Sequence, residues 1–395
     1  MAELNDTPRG NRIHIAFFGL RNAGKSTLVN AFTGQQIAIV SDVAGTTTDP
    51  VSKSMEILPL GPCMVTDTAG LDDVGELGEM RVAKTLKVLE TTDIAVWVAG
   101  DKEKVTCKSE EIWKEKFFDA GRKRGAVIIE YRRGESVEEL KKRIAEVKIE
   151  DKVPELLDGV VEQDDRVVCV CPIDESAPKG RLILPQVQVI RECLDRHVAV
   201  TVCQPDELKA LFDCSIEGLK GQRARVLVVT DSQAFGQVRD IVNDLNRVIE
   251  QSNNASNQTI RLTSFSVLFA RQKGDLSEFA KGLEAIKSLK DGDTVLVAEG
   301  CTHHRQCNDI GSVKIPKALE KLSGKNLDFV YASGRTFDIN NNLALVVHCG
   351  GCMLTRREVL QRIDQARESG IPIVNYGLVL AQACGIDIKD LMLPN

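Results

Sequence analysis

Cys301-Thr302-His303 and His348-Cys349-Gly350-Gly351-Cys352 gather thiols and imidazoles into two short segments late in the chain. Three of the five histidines, His303, His304 and His348, fall in or beside them. Thiolates and imidazoles grouped in this way are metal ligands. Zinc takes a closed tetrahedral Cys3His set, whereas an iron–sulfur cluster on three thiolates leaves one iron with a replaceable ligand. Spacing alone fits both. The Gly350-Gly351 pair lets backbone amides approach the sulfides of a cluster, which favours iron–sulfur. Buried thiols with satisfied core histidines are the packing alternative, against which stands a Cys-x-x-Cys adjoining His just after a strand.

Near the other end, Gly19-Leu20-Arg21-Asn22-Ala23-Gly24-Lys25-Ser26 matches G-x-x-x-x-G-K-S between an apolar run and an amphipathic segment. In such a loop the backbone N–H groups cradle phosphates, Lys25 reaches the β/γ-phosphates, and the Ser26 hydroxyl binds Mg²⁺. Gly19, Asn22, Ala23, Gly24, Lys25, Ser26 and Thr27 are the expected nucleotide contacts. Gly45-Thr46-Thr47-Thr48-Asp49 follows at the distance of a first switch, with Thr47, ahead of its neighbours Thr46 and Thr48, the candidate that closes over Mg²⁺ and the γ-phosphate. Asp67-Thr68-Ala69-Gly70 reads as D-x-x-G, where Asp67 contacts Mg²⁺ through water and Gly70 donates its N–H to the γ-phosphate.

These residues require elements that deliver them to common edges. Residues 13–19 form an apolar run ending in glycine, and further runs end at Asp67, near Gly100, near Ile129 and near Cys171, with helical segments between most of them. That alternation predicts a largely parallel sheet flanked by helices. The breaker-rich stretch 172–181 reads as a boundary. A second unit follows, with a helix over 205–220, a strand over 225–230, a helix over about 235–250 and a strand over 263–270. Its strands would leave an edge open to a second subunit, so a homodimer is expected. A third unit begins near Asp291, with strands over 294–298, 327–332, 343–347 and 371–375. The first of these ends just before Gly300-Cys301 and the third just before His348-Cys349, as sites at the carboxyl ends of α/β sheets require.

At 395 residues the chain predicts two to four domains, and 43% apolar with 27% charged residues is a globular balance. With 51 basic against 57 acidic residues there is no nucleic-acid footprint. No apolar run is long enough to span a bilayer, and the polar N-terminal stretch lacks the core of a secretion signal, so a cytoplasmic protein is expected. Twelve cysteines then read as metal ligands or buried thiols rather than disulfides. Cys63, Cys107, Cys169, Cys171, Cys193, Cys203, Cys214 and Cys384 fall in apolar or helical stretches and are assigned to packing.

The Gly45-Thr46-Thr47 and Asp67-Thr68-Ala69-Gly70-Leu71 segments resemble those of Era/TrmE-like GTPases. The resemblance implies a K⁺ ion supported by Asn22 and an attacking water oriented by Asp73. The guanine reader N-K-x-D is altered: after the strand at 126–131 the chain reads Arg132-Arg133-Gly134-Glu135, leaving Glu135 as the carboxylate for the base. The later S-A-K loop is reduced to Cys171-Pro172, so GTP as the nucleotide is implied by the resemblance and not by these residues.

Over its whole length the chain resembles the [FeFe]-hydrogenase maturation GTPases. The match rests on the domain order and on Glu299–His304, Asp309–Pro316, His348–Met353 and Pro372–Gly377. It implies an α/β protein of three domains: a P-loop GTPase domain (1–178), a small dimerisation domain (185–289) and an iron–sulfur cluster-binding domain (290–395). It further implies a [4Fe–4S] cluster on Cys301, Cys349 and Cys352, with His303 and His348 supplying a fourth ligand or shaping the pocket. Cys307 departs from the family pattern and is read as an idle thiol, a competing fourth ligand being the alternative. The implied role is a scaffold that receives a transient diiron subcluster precursor from radical-SAM maturases and delivers it to the apo-hydrogenase. GTP, Mg²⁺ and K⁺ would serve the switch. An RNA-associated GTPase with structural zinc and an iron–sulfur redox sensor with a degenerate nucleotide site are the other classes.

Overall fold

The computed structural model describes residues 9–34, 50–72, 76–100, 107–148, 154–173, 182–212, 225–251, 260–300, 309–334, 337, 339–340 and 342–386. Thr47, Asp73, Cys301, His303, His304 and Cys307 lie outside the described residues. The chain divides into two units, residues 1–152 and 153–395.

The first unit is a five-stranded sheet in the order β2-β3-β1-β4-β5. Its strands are β1 (Ile13–Phe18), β2 (Val51–Ile57), β3 (Gly61–Asp67), β4 (Ile94–Ala99) and β5 (Val127–Arg132). All pairings are parallel except the β2–β3 hairpin. Helices α1 (Lys25–Thr33), α2 (Glu76–Glu90), α3 (Cys107–Lys123) and α4 (Val137–Ala145) alternate with the strands. Apolar clusters cover both faces of the sheet, around Phe17, Phe32 and Leu140 on one side and Phe18, Trp97 and Phe117 on the other. Burial on both faces explains why β4 is a continuous apolar run and β1 one interrupted only by His14.

The second unit holds two four-stranded sheets, both wholly parallel. One has the order β7-β6-β8-β9, from β6 (Arg166–Val170), β7 (Ala199–Cys203), β8 (Val226–Thr230) and β9 (Ile260–Ser264). The other has the order β11-β10-β12-β13, from β10 (Thr294–Glu299), β11 (Asp328–Ser333), β12 (Leu343–His348) and β13 (Ile373–Asn375). The helices are α5 (Leu184–Asp195), α6 (Phe235–Gln251), α7 (Phe265–Lys273), α8 (Leu276–Ala285), α9 (Ile315–Ser323), α10 (Arg356–Glu368) and α11 (Tyr376–Ala383).

Three expectations change. Strand–helix alternation puts the run ending at Cys171 in the first domain, but β6 pairs in parallel with β7 and β8 and so belongs to the second unit. The expected boundary near 178 therefore moves back to about 152. The segment 263–270 is mostly helix. Ser264 caps it, its hydroxyl accepting from the Val267 amide, and α7 then runs to Lys273. Phe265, Leu268 and Phe269 enter the core of the middle sheet, while Val267 and Ala270 enter that of the last sheet. A helix buried on two faces carries no amphipathic stripe, so its residues read as a strand. Finally, α8 falls by sequence within the middle domain, yet Phe279 and Leu283 pack into the core of the last sheet.

Candidate functional site

In the first sheet the chain leaves β1 for neighbours on both sides, β3 and β4, and the P-loop lies outside its carboxyl end. This is the switch-point position at which open α/β sheets bind ligands. Lys25 lies over the loop, its ammonium donating to the carbonyls of Gly19 (3.3 Å) and Leu20 (2.8 Å). The Ser26 hydroxyl donates to Asp67 Oδ2 at 2.6 Å, joining the head of α1 to the end of β3. Asp67 is fully buried, and its Oδ1 has no hydrogen-bond partner. Burial pushes its carboxyl pKa upward, against the pull of Ser26 and Lys25. A buried carboxylate oxygen without a donor, beside a hydroxyl, fits a hard divalent cation such as Mg²⁺.

The segment after β3 is tied directly to the P-loop. Thr68 donates its hydroxyl to Phe17 O at 2.7 Å, and the Leu71 amide donates to Gly19 O at 3.3 Å. Arg21 donates its amide to Asp72 Oδ1 at 2.6 Å. A Cβ on Gly70 would stand 2.5 Å from Arg21 Cγ and 2.9 Å from its amide nitrogen, so only glycine permits this approach. Sequence reasoning favours Asp73 over its neighbour Asp72, for which adjacency is the only signal. Asn22 has a left-handed backbone (φ 58°), which asparagine tolerates, so its identity has a backbone reason independent of K⁺. Ala23 is buried beneath the loop, and Thr27 is exposed on α1.

At the expected base reader, the Glu135 amide closes a turn onto Arg132 O at 3.0 Å, and Tyr131 donates its hydroxyl to Glu135 O at 2.9 Å. The Glu135 carboxylate is paired with Arg143 of α4 at 2.7 Å. Cys171, expected in the place of the S-A-K loop, lies instead at the end of β6 in the other unit.

In the last sheet the switch point falls between β10 and β12, which lead outward to β11 and β13. Cys349 follows β12 there, and its amide donates to Ala298 O of β10 at 2.9 Å. Its sulfur accepts from the amides of Gly300 (3.1 Å) and Gly351 (3.4 Å). Gly300 directly precedes Cys301 in sequence. Burial raises the Cys349 thiol to about 11, while the two amides pull the other way. Amide donors on sulfur stabilise a thiolate and tune a cluster bound to it, so the donor set fits iron–sulfur ligation. Among the described residues no three Cys, His, Asp or Glu side chains form a metal-binding group, Cys349 and Cys352 being the two described thiols of the expected set.

His348 is held at both ring nitrogens. Its ring is 1% exposed, with Nδ1 at 2.7 Å from Cys349 O and Nε2 at 3.1 Å from Arg362 Nη1. Guanidinium only donates, so Nε2 accepts and Nδ1 carries the proton that goes to the carbonyl. Both ring nitrogens are committed, and burial followed by the Arg362 charge lowers its pKa to about 3, holding it neutral. Asn375 adds a further donor to Cys349 O at 3.3 Å.

The cysteine turn lies along α7. Gly350 abuts Ser266 near the start of the helix, and the Lys273 ammonium at its end donates to Gly351 O (3.2 Å), Cys352 O (3.2 Å) and Leu354 O (2.7 Å). Lys273 lies seven positions after Ser266, about two helical turns, which puts both on one face. Sequence reasoning missed Lys273 and Arg362, since a basic residue in the last turn or on the flank of a helix is ordinary surface composition.

Fold and site thus define a P-loop nucleotide-binding unit joined to an α/β unit with a cysteine turn at a switch point. Residues 14–131 match the family described as 50S ribosome-binding GTPase. Residues 156–274 match the hydrogen maturase F dimerization domain and residues 277–392 the hydrogen maturase F tetramerization domain. The chain belongs to the hydrogen maturase F family of GTPases.

Curated relatives match about a quarter of the chain. The tRNA modification GTPase MnmE of Chromobacterium violaceum is 37% identical over 101 residues, 25% of this chain and 22% of the relative. GTPase Der of Campylobacter hominis is 40% identical over 88 residues, 22% of this chain and 19% of the relative. The chain thus spans only about a fifth of the length of these relatives. A crystal structure of an Aquifex aeolicus Era variant bound to GDP and AlF4⁻ aligns over 81% of this chain and 93% of that one, at 15% identity and a TM-score of 0.26. A likeness that weak supports no conclusion about function.

Proposed function

We propose that the protein is a GTP-hydrolysing scaffold of [FeFe]-hydrogenase maturation, holding a [4Fe–4S] cluster on Cys301, Cys349 and Cys352. The observation that carries the reading is the Cys349 sulfur, which receives two backbone amides at the switch point of a hydrogen maturase F domain. The cluster would supply an iron with a replaceable ligand, to which cargo can attach. The protein's part is to hold Cys349 between β10 and β12, to aim the Gly300 and Gly351 amides at its sulfur, and to keep His348 neutral behind it. The cargo is a diiron subcluster precursor, received from radical-SAM maturases and passed to the apo-hydrogenase.

In the nucleotide site, Ser26 and Asp67 would hold Mg²⁺, Lys25 would turn from the loop carbonyls to the phosphates, and Gly70 would meet the γ-phosphate. Thr47 would close the site, Asp73 would orient the attacking water, and Asn22 would support K⁺ in place of an arginine finger. Glu135 would meet guanine once its Arg143 pair loosens. Hydrolysis biases the segment tied to the P-loop and so changes partner affinity, without driving the metal chemistry. A homodimer through the middle domain completes the reading.

The deciding experiment is anaerobic reconstitution with iron and sulfide, then EPR, metal analysis and an in vitro hydrogenase activation assay. About four irons per chain and activation lost in Cys349→Ser are expected, with four irons the stoichiometry of one [4Fe–4S] cluster. Stoichiometric zinc, or full activation by Cys349→Ser, would overturn it.

A further inference from the structure

Two cations lie buried against the cysteine turn. Lys273 is 1% exposed, and its ammonium is taken up by three carbonyls of the turn. Arg362 of α10 is 6% exposed, donating from Nη1 to His348 and from Nη2 to Gly334 O at 2.6 Å, with its guanidinium 4.9 Å from the Phe337 ring centre. Among the described residues neither has a carboxylate within ion-pair distance. Glu358 is the carboxylate whose field reaches both, and its Oε2 already accepts from the amide and hydroxyl of Thr355 at 2.7 Å and 3.2 Å. Carbonyl dipoles and the C-terminal end of α7 offset part of the Lys273 charge. Among the described residues two cations against one carboxylate still leave the pocket net positive, and a buried charge without a counter-ion is costly. Three thiolates on a doubly positive four-iron core carry one net negative charge, which cancels it.

We propose that Lys273 and Arg362 form a cationic cradle that holds the Cys349–Cys352 turn in its ligating shape and balances the negative charge of the iron–sulfur group bound there. The inference rests on the iron–sulfur reading of the site. Lys273 acts directly on the turn through three carbonyls. Arg362 acts through His348, which passes the constraint to Cys349 O. Both are positioning residues, and their charge favours the more negative, reduced state of the group.

The test compares full-length wild type, K273M, K273R, R362M and R362K after anaerobic reconstitution with iron and sulfide. Iron and sulfide retained against a chelator, and the midpoint potential from an EPR-monitored redox titration, are measured. Both methionine variants are expected to hold the cluster about 10- to 100-fold more weakly, the scale seen when groups behind metal ligands are removed. Their midpoints are expected to move negative, whereas K273R and R362K stay near wild type. Midpoints and retention unchanged in folded K273M and R362M overturn the cradle while leaving the iron–sulfur reading intact. A wild type that takes up no cluster overturns both. Where a methionine variant does not fold, the charge-preserving exchange at that site decides, because a midpoint shift there contradicts charge balance.

Discussion

A carboxylate oxygen buried without a donor, as at Asp67 Oδ1, is tolerated where a cation is meant to arrive. Asp67→Asn is therefore expected to lower GTP hydrolysis on the order of 10²-fold, the scale lost with one preorganised electrostatic partner. Phosphate release at several Mg²⁺ concentrations checks this, and hydrolysis at the wild-type rate would refute it. In the proposed nucleotide site the Glu135–Arg143 pair would bear on base choice in the same way. Preference for GTP over ATP is expected to fall well below the about 10⁴-fold that a fully polar reader delivers, and Arg143→Ala is expected to raise it by releasing Glu135. Competition between the two nucleotides measures both effects. At this scale the P-loop and D-x-x-G were legible because their chemistry is local: each needs a few residues at fixed offsets. The contact of His348 with Arg362 was not, because it depends on α10, distant in sequence but adjacent in the fold.

Among the elements, α8 lies so close to β13 that a Cβ on Gly282 would stand 2.0 Å from Ile373 O. Gly282→Ala is expected to destabilise the second unit by roughly 1–3 kcal/mol, the usual cost of overpacking, despite alanine's better helix propensity. Denaturant unfolding reads this, and a neutral result would show that α8 is free to shift. The strands of the last sheet were legible to within a residue or two because each is a short apolar run bounded by turns. The helix α7 was not, since length and capping, not periodicity, separate a helix buried on two faces from a strand. Similarly, β6 places Val167 and Cys169 in one core and Val168 and Val170 in another, so its apolar run gave no sign of which sheet it would join.

For the whole molecule, the division at about residue 152 predicts two unfolding transitions. Removing iron with an iron-selective chelator that leaves Mg²⁺ in place is expected to lower only that of the second unit, by about 2–4 °C for each kcal/mol of binding lost. Scanning calorimetry in the presence and absence of GTP distinguishes the two, and a shift of both by chelation would contradict the assignment. Strand β7 lies at the edge of the middle sheet with Val202 exposed, in the region matching a dimerization domain. Val202→Lys is expected to weaken self-association about ten-fold or more, because a charge on an edge strand opposes pairing. Sedimentation across concentrations checks this. The order of the three domains was legible because strand–helix alternation and the nucleotide and cysteine motifs mark it, whereas their exact limits depend on pairings that no local pattern records, and the breakers at 172–181 fall inside the second unit.

The placement of α7 also bears on how far the last domain can be transplanted. By sequence this helix closes the middle domain, yet the cysteine turn rests on it and takes three hydrogen bonds from its final residue. A protein cut at residue 277 would keep both thiols of the turn and lose the floor beneath them. Grafting the proposed cluster site onto another scaffold would therefore require carrying residues 264–276 along as an inseparable part of the graft.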